Sequence, residues 1–425
     1  MTEPPQPGLI SPRQRAYTLG VLVLVFTSSH VDRQIVGILG QAIKESLQIS
    51  DTQLGVLSGI MFAVFYATLG MPMAMWADRG NRRNIITLSV ALWSAMTVAC
   101  GLAQSYAQML LARIGVGVGE AGSNPPSHSI IADLYAPHER ATAMSVFALG
   151  VNVGIMLGYL IGGWVNEWLD WRWAFIVAGV PGLLIAAVVR FTVREPPRGY
   201  VEQRTAQVQA PPFLAVLRTM TASPILRQVV LGGTLAAFAG YALVIWVPVY
   251  LVRVHQMGTG AAGSTLALLV GLGGGFGTFM AGWLADRLAR RSEGWRAWVV
   301  TVALATAMPL AIVAFLQQGT LATILWFVLP AMLVGAYIGP GFAIVQSYIP
   351  LEMRAVAAAI NLFIVNIVGL GLGPFTVGLI SDQLAASQGV DSLRYGLLAM
   401  ALVLGWSALH YLRLGVLLQR QAKSG

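Results

Sequence analysis

Twelve stretches of predominantly apolar residues, each long enough to cross a bilayer as a helix, dominate this sequence. A span needs about 20 apolar residues, and in lipid the backbone must satisfy its own hydrogen bonds, as an α-helix does. The stretches are 17–43, 54–77, 85–103, 106–133, 141–164, 172–190, 229–252, 262–284, 298–316, 321–346, 355–380 and 395–416. Only 10% of the 425 residues are charged, against about 25% in soluble proteins. The sequence therefore predicts an all-α, multi-pass membrane protein with twelve transmembrane helices.

One long polar connection divides the apolar stretches six and six. Residues 191–227 are rich in proline and charge. We expect an N-terminal six-helix bundle at 1–190, a cytoplasmic linker at 191–227 and a C-terminal six-helix bundle at 228–425. Within the linker, Phe213 to Met220 fits a short amphipathic helix lying on the membrane surface, and a disordered tether fits equally well.

The basic residues follow the expected topology of such a protein. Lysine and arginine concentrate in the termini and the even-numbered loops, and only Lys44, Arg172, Arg253 and Arg394 fall in odd-numbered loops. This bias predicts that both termini lie in the cytoplasm. The net charge of +9 is thus explained by topology, and no nucleic-acid partner is expected.

Few residues of the chain are suited to catalysis or metal binding. The single cysteine, Cys100, excludes an intramolecular disulfide. His128, His138 and Glu139 lie near one helix end, but no cysteine or histidine set at metal-ligand spacing accompanies them. We therefore expect no enzymatic activity, no metal and no cofactor.

The two halves of the sequence repeat one another. Ala74-Met-Trp-Ala-Asp-Arg-Gly-Asn-Arg-Arg83 recurs 208 residues later as Gly282-Trp-Leu-Ala-Asp-Arg-Leu-Ala-Arg-Arg291. A second pair, at Pro137 and Pro350, opens the fifth and eleventh stretches. Internal duplication in a twelve-span chain is typical of transporters built from two pseudo-symmetric bundles around a midplane cavity.

The fourth stretch carries charge inside an apolar helix. Arg113 and Glu120 lie on one helical face, about 10 Å apart along the axis, and Ser123, Asn124 and Ser127 extend that polar stripe. Ionisable groups within a membrane span are costly and usually functional. The pattern favours a substrate or proton site, while a structural pair that only fixes helix packing remains the alternative.

Asp32 and Arg33 add two further charges inside the first stretch. Adjacent residues on a helix point about 100° apart, so we expect Asp32 to face the cavity with Ser28 and Arg33 to pair with a neighbouring helix. We assign substrate binding and proton coupling to Asp32, Arg33, Arg113 and Glu120. In this hypothesis Arg113 binds either a carboxylate or an anionic headgroup, according to protonation.

Other residues are candidates for lining the cavity. Asn152 and Asn366 occupy equivalent positions of the repeat and are candidate polar residues. Tyr241, Trp246 and Phe363 are candidates for an apolar wall against an acyl chain. Each of these aromatic residues also fits a simple packing or interfacial role.

The repeated stretch between the second and third spans resembles the Gly-x-Leu-Ala-Asp-Arg-x-Gly-Arg-Arg motif of the major facilitator superfamily. The second copy is similar at most positions, whereas Ala74, Trp76 and Asn81 replace motif residues in the first. The resemblance implies the major facilitator fold and a cytoplasmic gate. The gate residues would be Asp78, Arg79, Arg82, Arg83, Asp286 and Arg287.

Four shorter stretches resemble the spinster branch of that superfamily. They are Val31-Asp-Arg33, Arg113-Ile-Gly-Val-Gly-Val-Gly-Glu-Ala121, Ile131-Ala-Asp-Leu-Tyr135 and Trp171-Arg-Trp-Ala174. The resemblance implies a transporter of lysolipids or sphingoid lipids. The glycines of the fifth stretch resemble an antiporter motif, but Tyr159 replaces its proline and close helix packing explains them as well.

Together these features predict a proton-coupled secondary carrier that moves an amphiphilic anionic or zwitterionic lipid by alternating access. A carrier of small organic anions or drugs is the alternative, and a non-transporting receptor is a third reading. We expect a monomer in the plasma membrane, the inner membrane of a bacterium, with the proton as coupling ion.

Overall fold

The structure, a computed structural model, describes residues 10–199 and 212–424. This part of the chain is almost entirely helical and contains no β-strand, so the predicted all-α fold is confirmed. Residues 200–211, in the middle of the expected linker, lie outside the described residues.

We number the helices of the described chain α1 to α14. They are α1 (Pro12–Leu47), α2 (Asp51–Arg79), α3 (Arg82–Leu102), α4 (Tyr106–Ala121), α5 (Asn124–Leu134), α6 (Pro137–Trp168), α7 (Trp171–Thr192), α8 (Phe213–Ala222), α9 (Pro224–Arg253), α10 (Thr259–Ala289), α11 (Trp295–Leu316), α12 (Thr320–Tyr348), α13 (351–388) and α14 (Ser392–Ser424). Every predicted span has a helical counterpart in this list. Helix α8 lies where an amphipathic helix was expected, with Val216 buried and Leu214 exposed.

Ten helical stretches of the described residues are long and apolar enough to cross a membrane. One of them, Leu351–Gln421, contains two predicted spans joined by a short turn. The predicted fourth span does not appear among the ten because it is divided into α4 and α5. Length and composition thus agree with a multi-pass membrane protein.

The division of the fourth span corrects the expectation of one continuous helix. Between α4 and α5, the Gly122 amide donates to the Gly119 carbonyl at 3.2 Å and the Ser123 amide donates to the Glu120 carbonyl at 3.3 Å. These are the three-residue steps of a 3₁₀ turn. Pro125 and Pro126 follow directly and cannot donate to the preceding turn, so the regular helix ends before them.

Several helices contain a wider π-helical turn. One lies at Val56–Ile60 in α2 and another at Ala267–Gly273 in α10. These are the second spans of the two sequence halves, so the local irregularity agrees with the internal repeat. Such insertions occur frequently at functional sites.

The helices separate into two compact units. The first comprises the described residues of Met1–Val36 and Met61–Gln207, and the second those of Gly37–Ile60 and Val208–Gly425. Helices α1 and α2 are therefore each divided between the two units. The end of α1 and the beginning of α2 belong with the C-terminal helices.

In the first unit, α6 packs against α1 through glycines. A Cβ atom at Gly154 would lie 2.5 Å from the Thr27 carbonyl oxygen, and one at Gly158 would lie 3.0 Å from that of Val31. Only glycine allows the two backbones to approach so closely. Close packing therefore accounts for the glycine ladder of the fifth span.

In the second unit, the segment Gly37–Ile60 packs against α9 and α13. A Cβ atom at Gly55 would lie 2.8 Å from Phe375 Cα, and one at Gly59 would lie 2.6 Å from the Gly371 carbonyl oxygen. Gly37 approaches the backbone of Ile245 in the same manner. Glycines thus seat this segment on two helices of its own unit.

Candidate substrate and proton site

The first unit contains an ion pair between two of its helices. Arg33 Nε of α1 donates to Glu120 Oε2 of α4 at 2.7 Å, with the Glu120 side chain fully buried and the Arg33 side chain 17% exposed. Arg33 thus contacts a neighbouring helix, as the helical geometry predicted. Its partner is the acid that we had grouped with Arg113, so the two charged stretches meet at this contact.

Arg113 lies deeper than Arg33. It is 1% exposed, and its Nη1 donates to the main-chain carbonyl oxygen of Asp32 at 3.3 Å. Its hydrogen bond to α1 therefore goes to the backbone and not to a carboxylate. The structure brings Asp32, Arg33, Arg113 and Glu120 together in one buried cluster.

Asp32 is the most enclosed member of this cluster. The residue is fully buried, and no charged side chain of the described residues donates a hydrogen bond to its carboxylate. The Thr97 side chain of α3 lies beside the carboxylate. Glu120 Oε1 has no hydrogen-bond partner within the described chain. The cluster therefore retains acceptor atoms that can take a proton or a bound molecule.

Two aromatic residues of α2, missed by the sequence interpretation, complete the cluster. The Arg33 guanidinium carbon lies 4.9 Å from the centre of the Phe62 ring and 4.6 Å from that of Tyr66. Arg113 lies 5.6 Å from the same Phe62 ring. A cation over an aromatic face is stabilised by the charge distribution of the ring. Phe62 thus contacts both arginines.

The glycines that separate Arg113 from Glu120 allow this arrangement. A Cβ atom at Gly117 would lie 3.0 Å from the Phe62 carbonyl oxygen, and one at Gly119 would lie 2.7 Å from the Trp93 amide nitrogen. These glycines therefore allow α4 to pack closely against α2 and α3. This packing brings the Phe62 ring next to the arginines.

The small polar residues that follow Glu120 bind mainly to the backbone. The Ser123 hydroxyl donates to the Glu120 carbonyl at 3.2 Å, and the Ser127 hydroxyl donates to the Ser123 carbonyl at 2.7 Å. Asn124 is half-buried, and Ser28 is buried on α1 one turn before Asp32. The two serines after Glu120 therefore stabilise the turn between α4 and α5.

The remaining cavity candidates differ in burial. Asn152 is half-buried in α6 of the first unit. In the second unit, Asn366 Nδ2 donates to the Leu362 carbonyl at 2.9 Å. Trp246 is fully buried, and its indole N–H donates to the Pro374 carbonyl at 2.8 Å. Phe363 is 45% exposed and Tyr241 is half-buried.

Within the predicted cytoplasmic gate, Arg82 is the buried residue. It forms ion pairs with Asp133 and, at 2.7 Å, with Glu195, and it donates to the Pro196 carbonyl at 2.7 Å. The Arg83 amide donates to the other oxygen of Glu195 at 2.8 Å. Arg82 thus ties the α2–α3 turn to α5 and to the start of the long connection. Asp133 and Glu195 are 51 and 113 residues away from Arg82 in the sequence, so the sequence did not predict these ion pairs.

The other gate residues are more exposed. Asp78 and Arg79 lie on the surface. In the second copy, the Asp286 side chain is 75% exposed and lies 3.7 Å from Arg296. Arg287 stacks over Trp283 at 5.2 Å. The two copies of the motif therefore form different contacts.

A second buried charge cluster, which the sequence did not predict, surrounds Asp51. Its carboxylate accepts two bonds of 2.7 Å from Arg253, one of 2.6 Å from Lys44 and one of 2.6 Å from Ser381. The Asp382 carboxylate accepts from the amides of Asp51 and Thr52, at the first turn of α2. All of these residues belong to the second unit. They lie at or beyond the ends of the predicted spans, where charge is unremarkable.

Comparison with known proteins places these features in a family. Residues 22–374 match the Major Facilitator Superfamily. An MFS-type efflux pump of Mycolicibacterium smegmatis is 32% identical over 92% of this chain and 90% of its own length. The sphingosine-1-phosphate transporter SPNS2 of Danio rerio is 26% identical, over 91% of this chain and 80% of its own length.

A solved structure is similar along nearly the whole chain. It is the crystal structure of a bacterial homologue of the human lysosomal transporter spinster, in an inward-facing and unoccupied conformation. Its TM-score is 0.85 at 31% sequence identity, and the match covers 96% of this chain and 98% of the other.

Proposed function

Because the chain belongs to the Major Facilitator Superfamily, we propose that it is a proton-coupled secondary carrier that moves an amphiphilic lipid, such as a lysolipid, by alternating access. It is a multi-pass membrane transporter of the spinster type and not an enzyme. The observation that supports the proposal best is the buried cluster of Asp32, Arg33, Arg113 and Glu120. Charges at such positions in transporters usually belong to substrate or ion pathways.

The coupling step follows from competition for a guanidinium. Arg33 binds Glu120 at 2.7 Å and keeps 17% of its side chain exposed, whereas Arg113 is almost completely buried. Arg33 is therefore the arginine that a headgroup meets first. Protonation of Glu120 removes its negative charge, so that Arg33 becomes available to an anionic group. Deprotonation restores the ion pair and favours release of the headgroup.

The substrate class rests on chemistry and on relatives. Once Glu120 is protonated, the site carries a net positive charge, and a partly exposed arginine beside aromatic rings suits a phosphate-bearing headgroup because arginine binds phosphate through paired hydrogen bonds. A relative that is similar over 91% of this chain is a sphingosine-1-phosphate transporter, whose substrate is an amphiphile with such a headgroup. An anionic or zwitterionic lipid with one acyl chain is the corresponding proposal here.

Export of small organic anions or drugs is the second candidate. The observation that favours it is the 32% identity to an MFS-type efflux pump, over 92% of this chain. The same arginines and carboxylates serve such a substrate. The two candidates differ in whether transport depends on an acyl chain.

Three further properties belong to the same proposal. The protein functions as a monomer, it resides in a bacterial inner membrane, and both of its termini lie in the cytoplasm. The bias of basic residues toward the termini and even-numbered loops supports this orientation. The bacterial spinster homologue, similar over 96% of the chain, supports the choice of membrane.

Uptake into proteoliposomes tests the proposal. Labelled lysophospholipid and a labelled small organic acid are compared with and without a pH gradient, in wild type, Glu120→Gln and Glu139→Gln. Glu139 forms an exposed pair with Arg15 and is the matched control. We expect gradient-stimulated uptake of the lysophospholipid in wild type and Glu139→Gln and loss of that stimulation in Glu120→Gln. Equal uptake of both compounds, unaffected by the gradient or by Glu120→Gln, would falsify the proposal.

A further inference from the structure

A group of buried polar atoms with few or no partners lies next to the ion pair. The Ser94 hydroxyl has no hydrogen-bond partner among the described residues, and the Asp32 carboxylate and the Thr97 hydroxyl, which lie side by side, have no other partner there. All three residues are fully buried. Buried polar groups in proteins almost always have a partner, either in the protein or in ordered water. Several such atoms in one place therefore point to a bound ligand.

The three residues and Ser28 face the same region. Ser94 and Thr97 lie one turn apart on α3, and Ser28 and Asp32 lie one turn apart on α1. Thr97 lies beside the Asp32 carboxylate. A Cβ atom at Gly182 of α7 would overlap the Ser94 hydroxyl and lie 3.3 Å from that of Ser28. The Ser28 hydroxyl of α1 and the Ser94 hydroxyl of α3 thus both lie next to Gly182 of α7, which has no side chain.

The charges around Asp32 select the ligand. The Asp32 carboxylate interacts electrostatically with the charged side chains of Glu120, Arg113 and Arg33. The Cys100 thiol is close enough to interact with it as well. Two guanidinium groups close to Asp32 repel a metal cation, so a sodium site is disfavoured. Water, which both donates and accepts, matches two carboxylate oxygens and a set of hydroxyls.

We propose that Ser28, Ser94, Thr97 and Asp32 hold a short file of ordered water molecules between α1, α3 and α7, and that this file delivers to Asp32 a further coupling proton, distinct from the one that Glu120 binds. The inference rests on the proposed proton coupling and adds a route that is separate from the Arg33–Glu120 pair. Each step moves one proton from a hydronium or water oxygen to the next oxygen. The last step forms the O–H bond of the Asp32 carboxylic acid, and the same steps in reverse release the proton.

The matched variants remove hydroxyls and preserve shape. Thr97→Val and Ser94→Ala each delete one water-binding group. Thr87→Val is the control, because Thr87 lies on the same helix and donates to the Arg83 carbonyl at 2.9 Å. Thermal unfolding of each variant in detergent verifies that the fold is retained.

The test compares two transport modes in proteoliposomes with a fluorescent lysophospholipid as the probe. Gradient-driven uptake needs net proton movement, whereas exchange of labelled for unlabelled probe without a gradient does not. Loss of a hydrogen bond that positions the water is expected to slow gradient-driven uptake about tenfold in Thr97→Val and Ser94→Ala. Exchange stays at the wild-type rate in both, and Thr87→Val matches wild type in both modes.

Other outcomes overturn the inference in distinguishable ways. If the two variants slow uptake and exchange equally, the hydroxyls are structural. If neither mode changes, protons reach Asp32 by another route. If wild type transports the probe and a pH-sensitive dye in the lumen records no accompanying proton flux, the proposed proton coupling fails, and the water file fails with it.

Discussion

Arg253 binds Asp51 through two hydrogen bonds of 2.7 Å, one to each carboxylate oxygen. The two side chains are only 9% and 3% exposed. Lys44 and Ser381 satisfy further lone pairs of the same carboxylate. The network fixes the first turn of α2 to α9 and α13 within the second unit, so it is a main determinant of how the segment Gly37–Ile60 is held.

Asp51→Asn is expected to destabilise the protein strongly. The substitution leaves Arg253 buried without its carboxylate, and breaking a buried ion pair costs about 3–5 kcal/mol. Glu139→Gln is the matched control, because Glu139 pairs with Arg15 and the two side chains are 41% and 28% exposed. Exposed pairs contribute about 0–1 kcal/mol. Chemical unfolding in detergent measures both. Equal losses in the two variants would contradict the importance of the buried network.

Tyr66→Leu is expected to impair transport, whereas Tyr66→Phe retains it. The ring lies 4.6 Å from the Arg33 guanidinium carbon and holds that group near Glu120 through a contact of about 1 kcal/mol, or roughly fivefold in rate. Uptake of labelled lysophospholipid measures the effect. Phe279→Leu, which changes an exposed aromatic residue of α10, is the control. A similar loss in Tyr66→Phe would assign the effect to the hydroxyl instead of the ring.

Gly154→Ala is expected to destabilise the first unit. The new Cβ atom would lie 2.5 Å from both the Thr27 carbonyl oxygen and His30 Cβ, and such overpacking costs about 1–3 kcal/mol. Gly20→Ala on α1 is the control, because no atom lies within 4 Å of its Cβ position. That change is neutral or slightly stabilising. The unfolding temperatures of the two variants in detergent decide the matter, and a stable Gly154→Ala protein contradicts the close approach of α6 to α1.

We expect His255 to make the protein less stable as the pH is lowered. Burial, together with the charge of Arg394, lowers the pKa of His255 in the connection between α9 and α10. The folded protein therefore protonates the His255 imidazole less readily than the unfolded chain does, in which a histidine has a pKa of about 6.5. The stabilisation is complete above that value and is lost as the pH falls below it. Unfolding temperatures of wild type and His255→Gln, measured from about pH 8 to about pH 5, check this: the variant loses less stability on acidification. Parallel curves would exclude a role for His255.

The architecture and the charged residues of the site were accessible from the sequence because each depends on local properties. Long apolar stretches fix helices in lipid. A spacing of seven places Arg113 and Glu120 on one face whatever the neighbours are. The signal for the division of the fourth span is also local, because Pro125 and Pro126 cannot donate to the preceding turn.

The partners of these charges depend on contacts between helices, which a single sequence does not specify. Arg33 and Glu120 are 87 residues apart, and Arg82 and Glu195 are 113 residues apart. Phe62 looks like an ordinary apolar residue until α2 packs next to both arginines. Asp51 and Arg253 lie at the ends of their helices, where charged residues are common. The sequence alone therefore could not predict that both are buried.

The boundary of the first unit divides α1 after Val36 and α2 before Met61. Arg33 lies about one helical turn before the division of α1, and Phe62 lies immediately after that of α2. Arg33 and Phe62 are therefore held by the last turn of α1 and the first turn of α2 that belong to the first unit.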